Sequence, residues 1–196
     1  MSKMIAITGG IASGKSTVLK TIKELGYPVY SCDEIYKELT SDSSYIVIIE
    51  KEFPGVVCDG KIDRSKLAQI VFSNETARKR LNAIAHPLIM ERLLKRMQNA
   101  KEMLVFAEVP LLFEGNFQSL FDEIIVVYRN KKERVDAICQ RDCISEKEAY
   151  ARINSQFDYD DSYNLQQIKE SRVFILENKN DELSLRKKIE ALIGRL

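Results

Sequence analysis

Residues 9–16 read Gly9-Gly10-Ile11-Ala12-Ser13-Gly14-Lys15-Ser16, a full match to G-x-x-x-x-G-K-[ST], and no other feature restricts the fold of this chain as much. Such a loop works between a buried strand and the N-terminus of a helix, and both flanks carry the required pattern. Met4-Ile5-Ala6-Ile7-Thr8 is an almost continuous apolar run, as in a strand covered on both faces of a parallel sheet. Downstream, Val18, Leu19, Ile22 and Leu25 make one stripe at helical spacing; Gly26 suits a left-handed cap and Pro28 blocks continuation. Glycines let the backbone curl into a ring of N–H donors, to which the helix N-terminus adds positive dipole. The loop predicts polyphosphate binding by Gly10, Ile11, Ala12, Ser13, Gly14, Lys15, Ser16 and Thr17, with Lys15 on the β- and γ-phosphates and Ser16 on Mg²⁺.

The rest of the chain alternates strand and helix signals around a helical block. Strands are expected at Pro28–Ser31, Met103–Ala107, Glu123–Tyr128 and Val173–Leu176. From Asp33 to about Asn99 the pattern is mostly helical. Asp63 is placed to cap a helix with Leu67, Ile70 and Val71, and Pro87 is expected to break or kink the Glu75–Met97 stripe just before His86-Pro87. Asn130 with Glu133, and Ser145 with Glu148, signal two further helix starts, and Asp181–Leu192 a last helix. With 196 residues, 45% of them hydrophobic, the chain can build one sizeable core. The expectation is one α/β domain, a parallel sheet flanked by helices: core about residues 1–31 and 101–196, helical insertion about 32–100.

Lys+Arg 30 against Asp+Glu 29 gives a net charge of +1, which argues against a general nucleic-acid or membrane-surface binder. No stretch approaches the roughly 20 apolar residues needed to cross a bilayer, and the N-terminus lacks a signal-peptide pattern, so a cytoplasmic protein is expected. Cys32, Cys58, Cys139 and Cys143 lack C-x-x-C spacing and read as reduced packing residues.

Phosphoryl transfer to an alcohol needs a carboxylate at the hydroxyl and cations over the moving group. Asp33 follows the second expected strand, at the end where ligands collect in doubly wound sheets, and is the candidate base. It is also suited to cap a helix over Glu34–Leu39, and the two roles are compatible. Glu108 closes the run Met103–Ala107, where a carboxylate holds Mg²⁺ through water or forms a strand-end salt bridge. Glu114 reads as a structural loop residue. Arg134 and Arg141 lie seven apart on one helix face, and with Arg152 they are either lid residues or a solvated face. Asn178-Lys179-Asn180-Asp181 fits the N-K-x-D guanine-binding pattern, but no D-x-x-G accompanies it, which disfavours a GTP switch. Another small-molecule kinase stays open on these motifs alone.

Further segments follow in a fixed order: Asp59-Gly60-Lys61-Ile62-Asp63-Arg64, Val71-Phe72-Ser73, Ala77-Arg78 with Leu81, and His86-Pro87-Leu88-Ile89. Val109–Glu114, Arg141-Asp142, Ala149, Arg152-Ile153, Gln156 and Phe174–Asn178 complete the set. With Thr8–Thr17 and Asp33, these segments resemble the dephospho-CoA kinase family over almost the whole chain. The resemblance implies a P-loop, nucleoside-monophosphate-kinase-like fold with a helical acceptor-binding insertion and a helical lid at about 140–158. It implies ATP and dephospho-coenzyme A as substrates, Mg²⁺ as cofactor, no nucleic-acid or membrane partner, and a monomer or small homo-oligomer. It assigns catalysis to Asp33, Lys15 and Arg141, acceptor contacts to Asp33, Arg64 and His86, and metal contacts to Ser16 and Glu108, and it puts Asn178 near the adenine. Four positions depart from the family: Ala12 for Gly, Ser31 for a first Asp, Glu108 for Asp, and Ser171-Arg172 for Ala-Asp. Ala12 is tolerable there if its φ is negative.

Overall fold

The computed structural model describes residues 2–160, 172–179 and 181–196. The first part of the chain forms β1 (Lys3–Thr8), α1 (Lys15–Glu24), β2 (Val29–Ser31), α2 (Cys32–Leu39), α3 (Ser43–Glu52), β3 (Val57–Cys58) and β4 (Lys61–Ile62). Next come α4 (Arg64–Ser73), α5 (Glu75–Gln98), β5 (Leu104–Glu108), a 3₁₀ turn (Gln118–Leu120) and β6 (Glu123–Tyr128). Then follow α6 (Lys131–Asp142), α7 (Glu146–Asn154), β7 (Val173–Glu177) and α8 (Glu182–Ile193). Two compact units result, one of residues up to Tyr30 with Met97–Leu196, the other Ser31–Arg96.

The first unit is built on a five-stranded sheet in the order β2-β5-β1-β6-β7. β1 pairs in parallel with β5, from Lys3↔Leu104 to Ile7↔Glu108, and with β6, from Ile5↔Glu123 to Thr8↔Val126. β6 pairs in parallel with β7. Parallel strands point their carboxyl ends to one edge, so the loop after β1, Glu108, and the residues after β6 and β7 gather there. Apolar residues on both faces explain why these strands read as continuous runs rather than alternating ones. On one face, Val18, Leu19 and Ile22 of α1 and Leu185, Ile189 and Ile193 of α8 pack on Ile5, Ile7, Phe106, Ile125, Val127 and Leu176. Each such side chain contributes about 1.5–3 kcal/mol on burial. α1 ends as its glycine suggests: Gly26 has φ +90°, and Tyr27 N–H donates to Ile22 O at 3.2 Å, closing a Schellman turn.

The second unit is mostly helical. Ser31 Oγ accepts Asp33 N–H at 3.2 Å, so Ser31 caps α2 and the expected capping role of Asp33 is not realised. Asp33 instead sits in the first turn, beside Glu34, where negative charge complements the helix dipole. The capping need also gives the Ser31 departure a meaning, because Ser and Asp are near-equivalent N-caps. Asp63 caps α4 through Ser65 N–H and Lys66 N–H. Between α3 and α4 lies a hairpin that the sequence reading did not single out. Val57 pairs with Ile62 and Cys58 with Lys61, across Asp59 (φ +49°) and Gly60 (φ +71°), the Asp-Gly pair a type I′ turn prefers.

Pro87 does not break α5, which runs unbroken through it. The missing N–H and the ring clash cost roughly 3 kcal/mol. Ala85, Ile89, Met90, Leu93 and Met97 are buried along the same helix, and their burial outweighs that loss. Cysteine placement also departs from expectation: none of the four forms a disulfide, but Cys58 and Cys143 are exposed rather than packed. Among the described residues no helix is long and apolar enough to cross a membrane.

Candidate active site

The loop between β1 and α1 takes its shape from three backbone positions in the left-handed region. Gly9 has φ +144°, Gly14 φ +96°, and Ala12 φ +60°. Cβ atoms at Gly9, Gly10 and Gly14 would overlap Val127 O, the Arg134 guanidinium and the Asn178 amide respectively, so all three are fixed by contact, and Gly9 and Gly14 by φ as well. The positive φ at Ala12 contradicts the condition under which its methyl was expected to be tolerated. That conformation costs an alanine roughly 1–2 kcal/mol. The offset is packing: Ile11 and Ala12 lie against Val135, Ile138, Ala149 and Ile153 of α6 and α7. A fully buried methyl contributes about 0.8 kcal/mol, so this partly buried one offsets only part of the strain it brings.

Lys15 Nζ donates to Gly9 O at 2.7 Å and Gly10 O at 3.1 Å, so the ammonium curls over its own loop. Ser13 N–H donates to Gly10 O at 3.1 Å, and Val18 N–H to Gly14 O at 3.2 Å, which passes the loop directly into α1. Ser16 is exposed in the first turn of that helix. Glu108 ends β5, in register with Ile7 of β1. A hydroxyl and a carboxylate form a hard oxygen donor set suited to Mg²⁺, which keeps water and phosphate oxygens as its other ligands. Among the described residues no group of three or more His, Cys, Asp or Glu side chains forms a metal cluster.

Asn178 is 8% exposed, and its Nδ2 donates to Ser13 O at 3.0 Å. In this structure the residue braces the phosphate loop at Gly14. Asp181 accepts Leu183 N–H and Ser184 N–H as the N-cap of α8, which accounts for the acid of the N-K-x-D look-alike without guanine. Asn180 of that pattern, and Ser171 of the family departure, lie outside the described residues.

The two helix starts after β6 form as their signals suggest, with Asn130 accepting Lys132 N–H and Ser145 with Glu148 making a capping box. Glu133 takes no part in the first; it pairs with Arg129 at 3.2 Å. Their arginines divide in an unforeseen way. Arg134 is 2% exposed, lies against Gly10 and pairs with Asp160. Arg141, two turns on, is exposed and held by Asp142 through bonds of 2.7 and 3.0 Å. Asp142 also pairs with Arg152, and the two guanidiniums hold its carboxyl below the usual carboxylate range. A spacing of seven put Arg134 and Arg141 on one face but could not say that the first meets the loop.

Other contacts to the loop were also missed. Gln156 Oε1 accepts Ile11 N–H at 2.7 Å, Tyr159 Oη meets Thr8 Oγ1 at 3.1 Å, and Arg129 Nη1 donates to Ala12 O at 3.4 Å. Burial pushes the Tyr159 phenol well above its ordinary range. Glu114 is structural, as read: its Oε1 accepts Phe157 N–H at 2.9 Å.

The acceptor-side candidates belong to the other unit. Arg64 Nη2 donates to Thr40 Oγ1 at 2.9 Å. His86 is half-buried in α5, and burial lowers its pKa.

A sequence profile of the dephospho-CoA kinase family (CoaE) matches residues 3–181. A dephospho-CoA kinase from Geobacillus kaustophilus is 39% identical over 163 residues, covering 80% of this chain and 81% of its own. A solved structure from Thermus thermophilus superposes with a TM-score of 0.81 at 30% identity, covering 100% of this chain and 98% of its own. A dephospho-CoA kinase from Campylobacter jejuni gives 0.66 at 29% identity, covering 99% and 97%. A strand-loop-helix phosphate cradle on a parallel sheet and a family profile over residues 3–181 agree: the chain belongs to the dephospho-CoA kinase family.

Proposed function

We infer that the chain transfers the γ-phosphoryl group of ATP to the 3′-hydroxyl of the ribose of dephospho-coenzyme A, giving coenzyme A and ADP. The observation that carries this reading is the cradle itself: a loop locked by Gly14 against Asn178, opening α1, with Lys15 bent over it, in a chain of this family. In this reading the loop residues from Gly10 to Thr17, through those amides not already given to Gln156, Gly10 O and Gly14 O, hold the β- and γ-phosphates together with the Lys15 ammonium. Mg²⁺ would be held by the Ser16 hydroxyl with Glu108 outside it, and when bound it neutralises charge on the phosphate oxygens.

Asp33 orients the acceptor hydroxyl and takes its proton as the O–P bond forms. That role follows from its chain position after β2 and its match to the family motif. The unit Ser31–Arg96 then serves the acceptor, with Arg64 and His86 as contacts. Residues 140–158 act as the lid, from which Arg141 exchanges the Asp142 carboxylate for phosphoryl oxygens and excludes water. The reaction is assigned to the cytoplasm.

Incubation with ATP, Mg²⁺ and dephospho-coenzyme A, followed by phosphorus and carbon NMR of the product, tests the reading. A phosphate ester on the 3′ carbon is expected. Phosphate on another alcohol in a panel of nucleoside and sugar acceptors, with dephospho-coenzyme A left intact, would overturn it.

A further inference from the structure

Besides Asn178, Arg129 and the α6–α7 side chains, the run 156–160 directly after α7 sends several groups to the phosphate loop and its flank. Gln156 Oε1 accepts Ile11 N–H at 2.7 Å, Tyr159 Oη meets Thr8 Oγ1 at 3.1 Å, and Asp160 pairs with Arg134, the buried arginine against Gly10. The run is itself anchored. Glu114 Oε1 accepts Phe157 N–H at 2.9 Å, and Phe157 packs on Phe113 and Tyr159 with ring centroids 4.9 and 5.1 Å apart. Gln156 reaches furthest into the loop, with Ile11 N–H as its partner, while Tyr159 bonds to the backbone of Gly9 at the loop's start.

An amide N–H has one direction. With the Gln156 oxygen on Ile11 N–H, the Gly10–Ile11 peptide plane is fixed, and the amides that follow it inherit that orientation through the Ser13 N–H bond to Gly10 O. A loop that binds phosphate through several amides at once gains from having them aligned before the ligand arrives. We propose that Gln156 is a positioning residue for polyphosphate binding, holding the phosphate loop in register from the C-terminal end of the α6–α7 hairpin. The role rests on the loop being the ATP cradle of the reaction above, and it adds a residue from the far side of the sequence to that cradle.

The consequence is selective. Removing the oxygen loosens the loop and not the nucleoside contacts, so the loss follows the phosphates. Gln156→Met keeps side-chain length and removes the acceptor. Its ATP dissociation constant is expected to rise about tenfold, the size seen when an amide loses a partly buried partner. Adenosine binding should stay within about twofold, KM for ATP should rise with kcat reduced no more than about twofold, and KM for dephospho-coenzyme A should not move. Tyr159→Phe, which keeps the ring and removes the hydroxyl's bonds to Thr8 and to the Gly9 backbone, should weaken ATP in the same direction by a smaller factor, and it supplies the test if Gln156→Met does not fold. Unchanged ATP affinity in both variants, or equal weakening of ATP and adenosine, would overturn the proposal. The ATP titration needs no acceptor, so wild-type protein that binds ATP but leaves dephospho-coenzyme A untouched would sink the reaction while the titration still decides Gln156.

Discussion

Lys15 spends its donors on Gly9 O and Gly10 O, and Asn178 spends one on Ser13 O; both hold the backbone of a loop whose amides must converge. The tightest position is Gly14, where positive φ and the Asn178 amide leave no room for a methyl. Gly14→Ala is expected to lose measurable ATP binding and about 2 kcal/mol or more of stability, read by calorimetric titration and urea unfolding. Asn178→Ala creates room at the same place and should weaken ATP less than Gly14→Ala does; the reverse order would mean the methyl is accommodated by some other shift. At the acceptor end, Asp33→Asn should leave ATP affinity intact and lower kcat by about 10²–10⁴, the usual worth of a positioned base. Near-normal turnover in that variant would remove Asp33 from the mechanism. The glycines, Lys15 and Ser16 were legible because the phosphate loop is a local pattern. Arg134, Gln156 and Tyr159 were not, since each meets the loop across more than a hundred residues of chain and nothing near them in sequence records the partner.

At the scale of elements, local chemistry decided most boundaries and tertiary burial decided the exceptions. Asp63, Asn130 and Ser145 each cap the helix their position suggests, because a cap is complete within a few residues; Asp181, read as the start of the last helix, is its N-cap. The Asp59-Gly60 hairpin had an equally local signal and was passed over for want of flanking strands long enough to notice. Pro87 does not end α5, because the buried stripe along the helix offsets its local penalty. Pro87→Ala restores the backbone N–H and should raise the urea midpoint, by up to about 2 kcal/mol in stability; a fall would show that the ring is packed rather than merely tolerated. His86, one residue earlier, has a pKa lowered by burial from an ordinary value of 6.5. Its contribution to stability is therefore present above that ordinary value and lost as pH falls through the folded-state value. Unfolding free energy should drop between about pH 7 and pH 5 more in the wild type than in His86→Gln, and the single imidazole makes the titration readable by proton NMR.

For the whole molecule, the sheet order and parallel pairing gather the ends of β1, β5, β6 and β7 at one edge, with the phosphate loop, Glu108 and Asn178 there together. That grouping depends on topology more than on any single residue, and the alternation of strand and helix signals was enough to foresee it. What the alternation could not supply was the acceptor, which rests on family membership and on residues of the second unit. The decisive measurement is continuous ADP release with ATP, Mg²⁺ and dephospho-coenzyme A, run beside Lys15→Ala. Stoichiometric ADP and coenzyme A from the wild type, absent without the acceptor and reduced by about 10² or more in Lys15→Ala, is the result predicted. ADP release that ignores the acceptor, or that survives the loss of the Lys15 ammonium undiminished, would contradict the account.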